Sequence, residues 1–312
     1  MRKLAWIAVL VVSIGFQYDL RSSRGEAYPL LGETPFQQPY AYAEPSPGGW
    51  FQELTLFGGV DGSKQPQDLG VNANLGGQFH VNWGIPLSQQ YGLGMQIGQA
   101  IVSTDNAVRV YEILGEATNR FQSYTTIGMF QRTASGFSWG FVHDWLNEDS
   151  YDEFQLRQWR IRTSFDLTEC DQVGVTAHLF GGGDSGLFGP LPVWLEPMDQ
   201  GSLYWRRWWS TGTQTTLWGG IAEGHSENNA VTGPSPRFGE SFLMGADILA
   251  PMNDYFAVYG EVNLIFPADS GAVDAFLGIQ FWPGGGARTA RRGRFSPLLP
   301  VASPTSFATD VR

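Results

Sequence analysis

One cysteine, 16% charged residues and no apolar run of helical span past the N-terminus limit what this 312-residue chain can be. Cys170 alone cannot close an intrachain disulfide. It sits in Thr168-Glu169-Cys170-Asp171, where two acids are the opposite of the electropositive setting a reactive thiolate needs, so we read it as an incidental turn residue. The net charge of −11 becomes −13 without the first 27 residues, which carry Arg2, Lys3, Arg21 and Arg24 against Asp19 and Glu26. A body that acidic repels phosphate backbones, and nucleic acid is not expected as a partner. After residue 27 no stretch reaches 18 consecutive apolar residues, so no transmembrane helix is expected.

The residues that could carry chemistry are scattered. His80, His143, His178 and His225 lie too far apart for a metal-ligand pair. His143 and Asp144, adjacent on an expected strand, point to opposite faces. Glu53, Glu112, Glu116 and Glu261 could form a glycosidase pair only through tertiary contact. Gly181-Gly182-Gly183-Asp184 is like one turn of a calcium-binding repeat, but it occurs once and reads as loop. No catalytic residue, cofactor or metal is expected.

What the chain has in quantity is glycine (40) and aromatics (12 Trp, 21 Phe, 11 Tyr), a balance that favours sheet and turn over helix. Residues 1–27 read as a secretory signal peptide: Arg2 and Lys3, an apolar run of 13 residues from Leu4 to Phe16, and Gly25 and Ala27 at the cleavage end. Residues 28–49, with Pro29, Pro35, Pro39, Pro45 and Pro47, read as a Pro/Gly-rich linker.

The body, residues 50–283, alternates. From Val71 to Leu87 the odd positions are apolar except Gly77, and Asn72, Asn74, Gln78, His80 and Asn82 stand between them. Successive strand residues face opposite sides, so this is one ribbon with a greasy face and a polar face. Strands are expected near 50–60, 71–85, 91–103, 121–133, 137–147, 153–166, 172–181, 201–210, 213–223, 238–250, 255–266 and 272–282, with poor alternation over 201–223. Twelve is an even number, and about 11 residues per strand at a tilt of about 45° span roughly 25 Å, the height of a membrane barrel's apolar band. The expected fold is all-β, an antiparallel up-and-down transmembrane β-barrel. Trp50, Trp83, Trp145 and Trp282 near strand ends are its expected aromatic girdle. The tail, residues 284–312, opens on three glycines, carries Arg288, Arg291, Arg292 and Arg294, and reads as disordered.

The segments Gln67–Gly77, Asn82-Trp83-Gly84-Ile85-Pro86-Leu87 and Tyr91–Gly98 resemble an uncharacterised family of exported planctomycete proteins regarded as outer-membrane β-barrels. The similarity is strongest over residues 50–133 and extends to Trp282. It implies fold and location, an outer membrane with its lipid and the barrel assembly machinery as partners, and it implies no site residue. Barrels of the familiar type end the chain on an aromatic residue; here 30 residues follow Trp282.

With apolar faces toward lipid, the opposite faces line a lumen. Arg160, Arg162, Asp166, His178, Glu261, Asn263, Asp274 and Gln280 are the expected lining, and charges there need partners or water. The network would either fill a packed lumen or line a small aqueous path for solutes or ions. The function expected is a passive pore or structural envelope protein. The alternative is a soluble secreted β-sandwich or jelly roll that binds carbohydrate, which uses the same strand and turn vocabulary.

Overall fold

The computed structural model describes residues 51–64, 73–106, 112–113, 115, 117–223, 240–266, 272–289 and 292–311. The expected signal peptide and linker, Trp50, His225 and the start of the Val71 ribbon lie outside the described residues.

Alternation drives the chain into long strands: β1 (Leu54–Lys64), β2 (Asn74–Ser88), β3 (Leu93–Asn106), β4 (Asn119–Arg132), β5 (Phe137–Asp149), β6 (Glu153–Asp166), β7 (Asp171–Gly182), β8 (Asp184–Phe188), β9 (Leu191–Pro197), β10 (Asp199–Trp208), β11 (Gln214–Glu223), β12 (Glu240–Pro251), β13 (Phe256–Phe266), β14 (Val273–Phe281) and β15 (Thr309–Val311). Twelve of them close a barrel in the order β1-β14-β13-β12-β11-β10-β7-β6-β5-β4-β3-β2. Closure comes from antiparallel pairing of β1 with β14, Leu56 opposite Phe281 through Lys64 opposite Val273. No barrel edge is left to seek another strand. The two-sheet sandwich considered from sequence is thereby excluded.

The weakly patterned region 201–223 forms β10 and β11, and the structure shows why its pattern fails. Tyr204, Arg206 and Trp218 are large inward side chains, so hydrophobicity there does not report the face. Tyr204 lies under two guanidinium groups, those of Arg162 and Arg206, at 5.1 and 5.5 Å from its ring centre. The Trp218 indole N–H donates to Asn263 Oδ1 at 3.0 Å.

One rim carries short turns at 89–92, 133–136, 167–170, 209–213 and 252–255. Gly136 (φ 81°) and Gly212 (φ 82°) occupy left-handed backbone in two of them, which a side chain would strain. The opposite ends are joined through longer stretches except between β5 and β6, where only residues 150–152 intervene, and one of the long ones is the β8–β9 hairpin, which pairs with β15 as a separate three-stranded sheet.

The tail is the main departure from the expected architecture. From Trp282 it crosses the short-turn rim, enters the barrel and runs to the far mouth, where Thr309–Val311 pair with Leu195–Pro197. Composition suggests disorder because it weighs the segment against water. Inside the barrel Leu298, Leu299, Val301, Phe307 and Val311 are each at most 3% exposed. Burying each large apolar side chain contributes about 1.5–3 kcal/mol relative to leaving it in solvent, which offsets part of the cost of ordering the segment. Trp282 is likewise not in a girdle: its even position turns it inward, 4% exposed, into a cluster with Phe57, Leu249, Ala257, Tyr259, Phe276 and Ala287.

The wall makes room for the tail with glycines on its inner face. A Cβ at Gly98 would stand 2.8 Å from Val301 Cβ, and one at Gly84 would overlap the Phe295 carbonyl oxygen. A Gly98→Leu variant should therefore keep the barrel but expel the tail. Overpacking of about 1–3 kcal/mol predicts trypsin cleavage at Arg292 and Arg294 about tenfold faster or more, with heat-modifiable gel migration of the barrel unchanged.

Candidate functional site: a lumen occupied by the C-terminal segment

The inward positions of β3 to β6 form a polar seat. Asp144 on β5, fully buried, takes a two-point contact from Arg160 on β6: Nε to Oδ2 at 2.6 Å and Nη2 to Oδ1 at 3.0 Å. Thr126 donates to Asp144 Oδ1 at 2.7 Å, and Gln158 donates to Oδ2 at 3.1 Å. Each of these side chains keeps capacity for the tail. Arg160 Nη2 donates to the Pro300 carbonyl at 2.9 Å, Gln158 to the Ser306 carbonyl at 3.0 Å, and Thr126 Oγ1 accepts from Ala302 N–H at 2.9 Å.

Neighbouring wall residues extend the seat along the segment. Gln96 meets Leu299 reciprocally, donating to its carbonyl at 2.8 Å and accepting from its N–H at 3.3 Å. Arg162 donates to the Leu298 carbonyl at 3.2 Å, and Arg132 to the Ser296 carbonyl at 3.1 Å. Across the lumen the Thr305 hydroxyl donates to Glu261 Oε1 at 2.7 Å, while Tyr259 donates to Oε2 at 2.8 Å.

At the far mouth the contacts become apolar. Val193 and Leu195 of β9 pack with the inward Tyr124, Leu146, Phe154 and Leu156 and with tail residues Val301, Phe307 and Val311. The Phe307 ring meets Tyr124 edge-on at 5.8 Å.

The residues singled out from sequence fall as follows. Arg160, Arg162, His178, Glu261 and Asn263 line one cavity of about 50 Å³ beside Pro300, Thr305 and Ser306. Arg162 and Gln280 line a second, of about 40 Å³, on another side of the tail. Asp166 lies near the short-turn rim and accepts from Gln172, which accepts in turn from Arg206; Arg206 donates to Thr216, and Thr216 to Asp247. Asp274 is fully buried in the barrel interior. Trp83 and Trp145 are on the outer face, the latter packed edge-on against His143, which also meets Trp159. His143 and Asp144 thus serve opposite sides of the wall.

One motif was missed in the sequence: Gly136-Phe137-Ser138-Trp139-Gly140 has the Gly-x-Ser-x-Gly form of a hydrolase elbow. An elbow needs a strand-to-helix turn that exposes the serine. Ser138 is instead the second residue of β5, 2% exposed, and no helix follows it.

The wall contacts of Gln96, Thr126, Arg132 and Gln158 were not foreseen, because nothing in their own segments reports a partner some 150 to 200 residues away. A signal was available in the tail, where Leu298, Leu299, Val301, Phe307 and Val311 are too apolar for a solvated end.

The tail's arginines fasten it to the turns of the short-turn rim. Arg288 pairs with Asp254 at 3.1 Å, Arg292 donates to the Glu169 carbonyl at 2.6 Å and stacks over Trp208, and Arg294 donates to the Gln90 carbonyl at 3.2 Å. Glu53 sits at the same rim against Gly293. Burial pushes its carboxyl pKa above the ordinary 4.5, against the opposing pull of Arg132 and the Phe295 N–H. A raised folded pKa means the folded state binds the proton more tightly, so this contribution is full below pH 4.5 and is lost as pH rises through the folded value. Glu53→Gln should accordingly be more stable than wild type at neutral and higher pH, with the gap in urea midpoint closing as pH falls toward 4.5.

No curated protein matches the sequence. Among solved structures the chain is similar to KdgM porin, at 9% identity over 72% of this chain and 98% of that one, TM-score 0.43. It is similar to outer membrane phospholipase A from Escherichia coli, at 9% identity over 78% and 96%, TM-score 0.43. The beta domain of the Bordetella autotransporter BrkA gives 9% identity over 73% and 97%, TM-score 0.42. The family description that matches covers residues 53–309, the barrel together with its tail, and the chain belongs to that family of unknown function, DUF6666.

Proposed function

We propose that this protein is an integral β-barrel of an outer membrane that rests with its lumen closed by its own C-terminal segment, a structural or closed-channel component of the envelope without catalytic activity. The observation that carries this reading is the polarity of the wall. Every barrel strand presents at least one large apolar side chain to the outside, among them Val60 (60% exposed), Leu75 (63%), Leu203 (69%) and Leu277 (54%). Arg160, Gln96, Asp144 and Gln158 are sealed inside. A water-soluble barrel would expose its charges and bury its leucines; a continuous apolar belt of this extent needs lipid as its solvent. Insertion by the barrel assembly machinery would then have to read a last strand that ends at Phe281 rather than a chain terminus.

Closure is favoured over a passive open pore by the space left around the tail. Cavities of about 50 and 40 Å³ hold a few waters each, since one water needs about 10–15 Å³ on this scale. Solutes and hydrated ions need more. The refolded intact protein should carry no steady current in a planar bilayer; a persistently open channel from the intact chain overturns the closed reading.

Orientation can be read with the native cysteine, which is exposed in the β6–β7 turn of the short-turn rim. With short turns facing the periplasm, as in outer-membrane barrels generally, a membrane-impermeant maleimide should leave Cys170 unlabelled in intact cells. It should label Cys170 fully once the outer membrane is permeabilised. Recovery of the protein in the aqueous periplasmic or culture fraction would reject the membrane assignment altogether.

A further inference from the structure

We propose that the lumen is a binding tunnel for polypeptide main chain, in which the C-terminal segment is the resident ligand and can be replaced by a peptide of the same kind from another chain. The inference rests on the occupied lumen and deepens the closed-barrel reading by naming the ligand class. It does not depend on where the barrel resides.

Arg132, Arg162, Gln96 and Arg160 address the carbonyls of Ser296, Leu298, Leu299 and Pro300 in register along the segment. Gln96 and Thr126 also accept the N–H groups of Leu299 and Ala302. These are groups that every polypeptide has. Inside the lumen the Thr305 hydroxyl is a tail side chain that the wall also reads, through its hydrogen bond to Glu261, whereas Arg288, Arg292 and Arg294 bond the rim outside it. The segment closes some main-chain groups on itself, in a turn from Gly293 to Ser296 and a single 3-10 turn at Pro304–Ser306, and between them residues 298–302 turn to the wall. There the wall supplies side-chain donors and acceptors to successive main-chain groups, the part that a sheet edge plays for an added strand. At the mouth β9 does add a strand, pairing with Thr309–Val311.

Side-chain selection is coarse and also legible. Leu298 and Leu299 pack with Phe130 and Val142 on the wall, and Phe307 meets Tyr124. Pro297 and Pro300 fix two φ angles and remove two N–H groups that the wall would otherwise have to satisfy. The ligand class is therefore a peptide whose central stretch is uncharged, with two adjacent apolar residues, a following proline, and a further apolar residue several positions on. The Gly284-Gly285-Gly286 tether, with Gly285 and Gly286 at positive φ, connects the resident copy to β14 and keeps it at high local concentration.

The test uses the full chain, folded before any cut. A specific protease sequence is placed within Gly284–Gly286, the folded protein is cleaved in detergent, and synthetic peptides with the sequence of residues 292–311 carrying a fluorophore are added. Heat-modifiable migration verifies the barrel throughout. Cleaved barrel should bind the labelled peptide saturably with loss of the native segment, detected by mass, and uncut barrel should bind it at least tenfold more weakly because the tethered copy competes. A peptide methylated on the Leu299 nitrogen, which loses the N–H that Gln96 accepts, should bind at least tenfold more weakly. Failure of the labelled peptide to enter a cleaved, intact barrel overturns the proposal, as does a methylated peptide that binds as well as the parent. Neither result bears on whether the intact protein conducts, so this reading and the membrane reading fail separately.

Discussion

A peptide N–H or C=O without a partner costs several kcal/mol where water cannot reach it, and the whole molecule is arranged around that constraint. It acts twice. In the wall, pairing of β1 with β14 turns a sheet into a cylinder and leaves no unpaired edge facing the apolar belt. In the lumen, the C-terminal segment has no neighbouring strand over residues 296–306; a 3-10 turn at Pro304–Ser306 closes some of these groups internally, and side chains of the wall take others: amide to amide at Gln96 and Leu299, guanidinium to carbonyl at Arg132, Arg160 and Arg162.

The Asp144–Arg160 pair shows how the lumen affords its charges. An isolated guanidinium at 2% exposure would be unstable, and an ion pair in such a place does not by its Coulomb energy alone repay the desolvation of both partners. What makes the arrangement tenable is that Thr126, Gln158 and the Pro300 carbonyl occupy further donor and acceptor positions of the two groups. The tail is thus part of what solvates the network. Losing it would expose Arg160 and Asp144 to whatever enters next, water or another chain, which ties the stability of the wall to the occupancy of the lumen.

Much of the wall was legible in the sequence because period-two alternation is a local property. Gln78 and His80 are inside and Leu75 and Phe79 outside, since a strand residue's face follows from parity once one neighbour is placed. The strand set, the turn-rich rim and the closed antiparallel order followed from the same signal and from the even count. Parity also placed Trp282 inward, but the reading by residue type, tryptophan near a strand end, pointed the other way; burial against Phe57 and Phe276 decides it. Where inner and outer faces both carry large side chains, as at Tyr204, Arg206 and Trp218, the pattern lost its contrast and the elements were still strands.

The sequence by itself determined that this chain makes long two-faced strands, enough of them to close, with one face fit for lipid. Only the tertiary structure decided what lies inside. The contacts that order the tail join residues such as Gln96 and Leu299, or Thr126 and Ala302, that are far apart along the chain, and they run mostly to main-chain groups that no side-chain pattern encodes. A segment rich in proline and serine is disordered in water for want of partners. Enclosed by a wall whose arginine, glutamine and threonine side chains reach its main chain, the same segment has them.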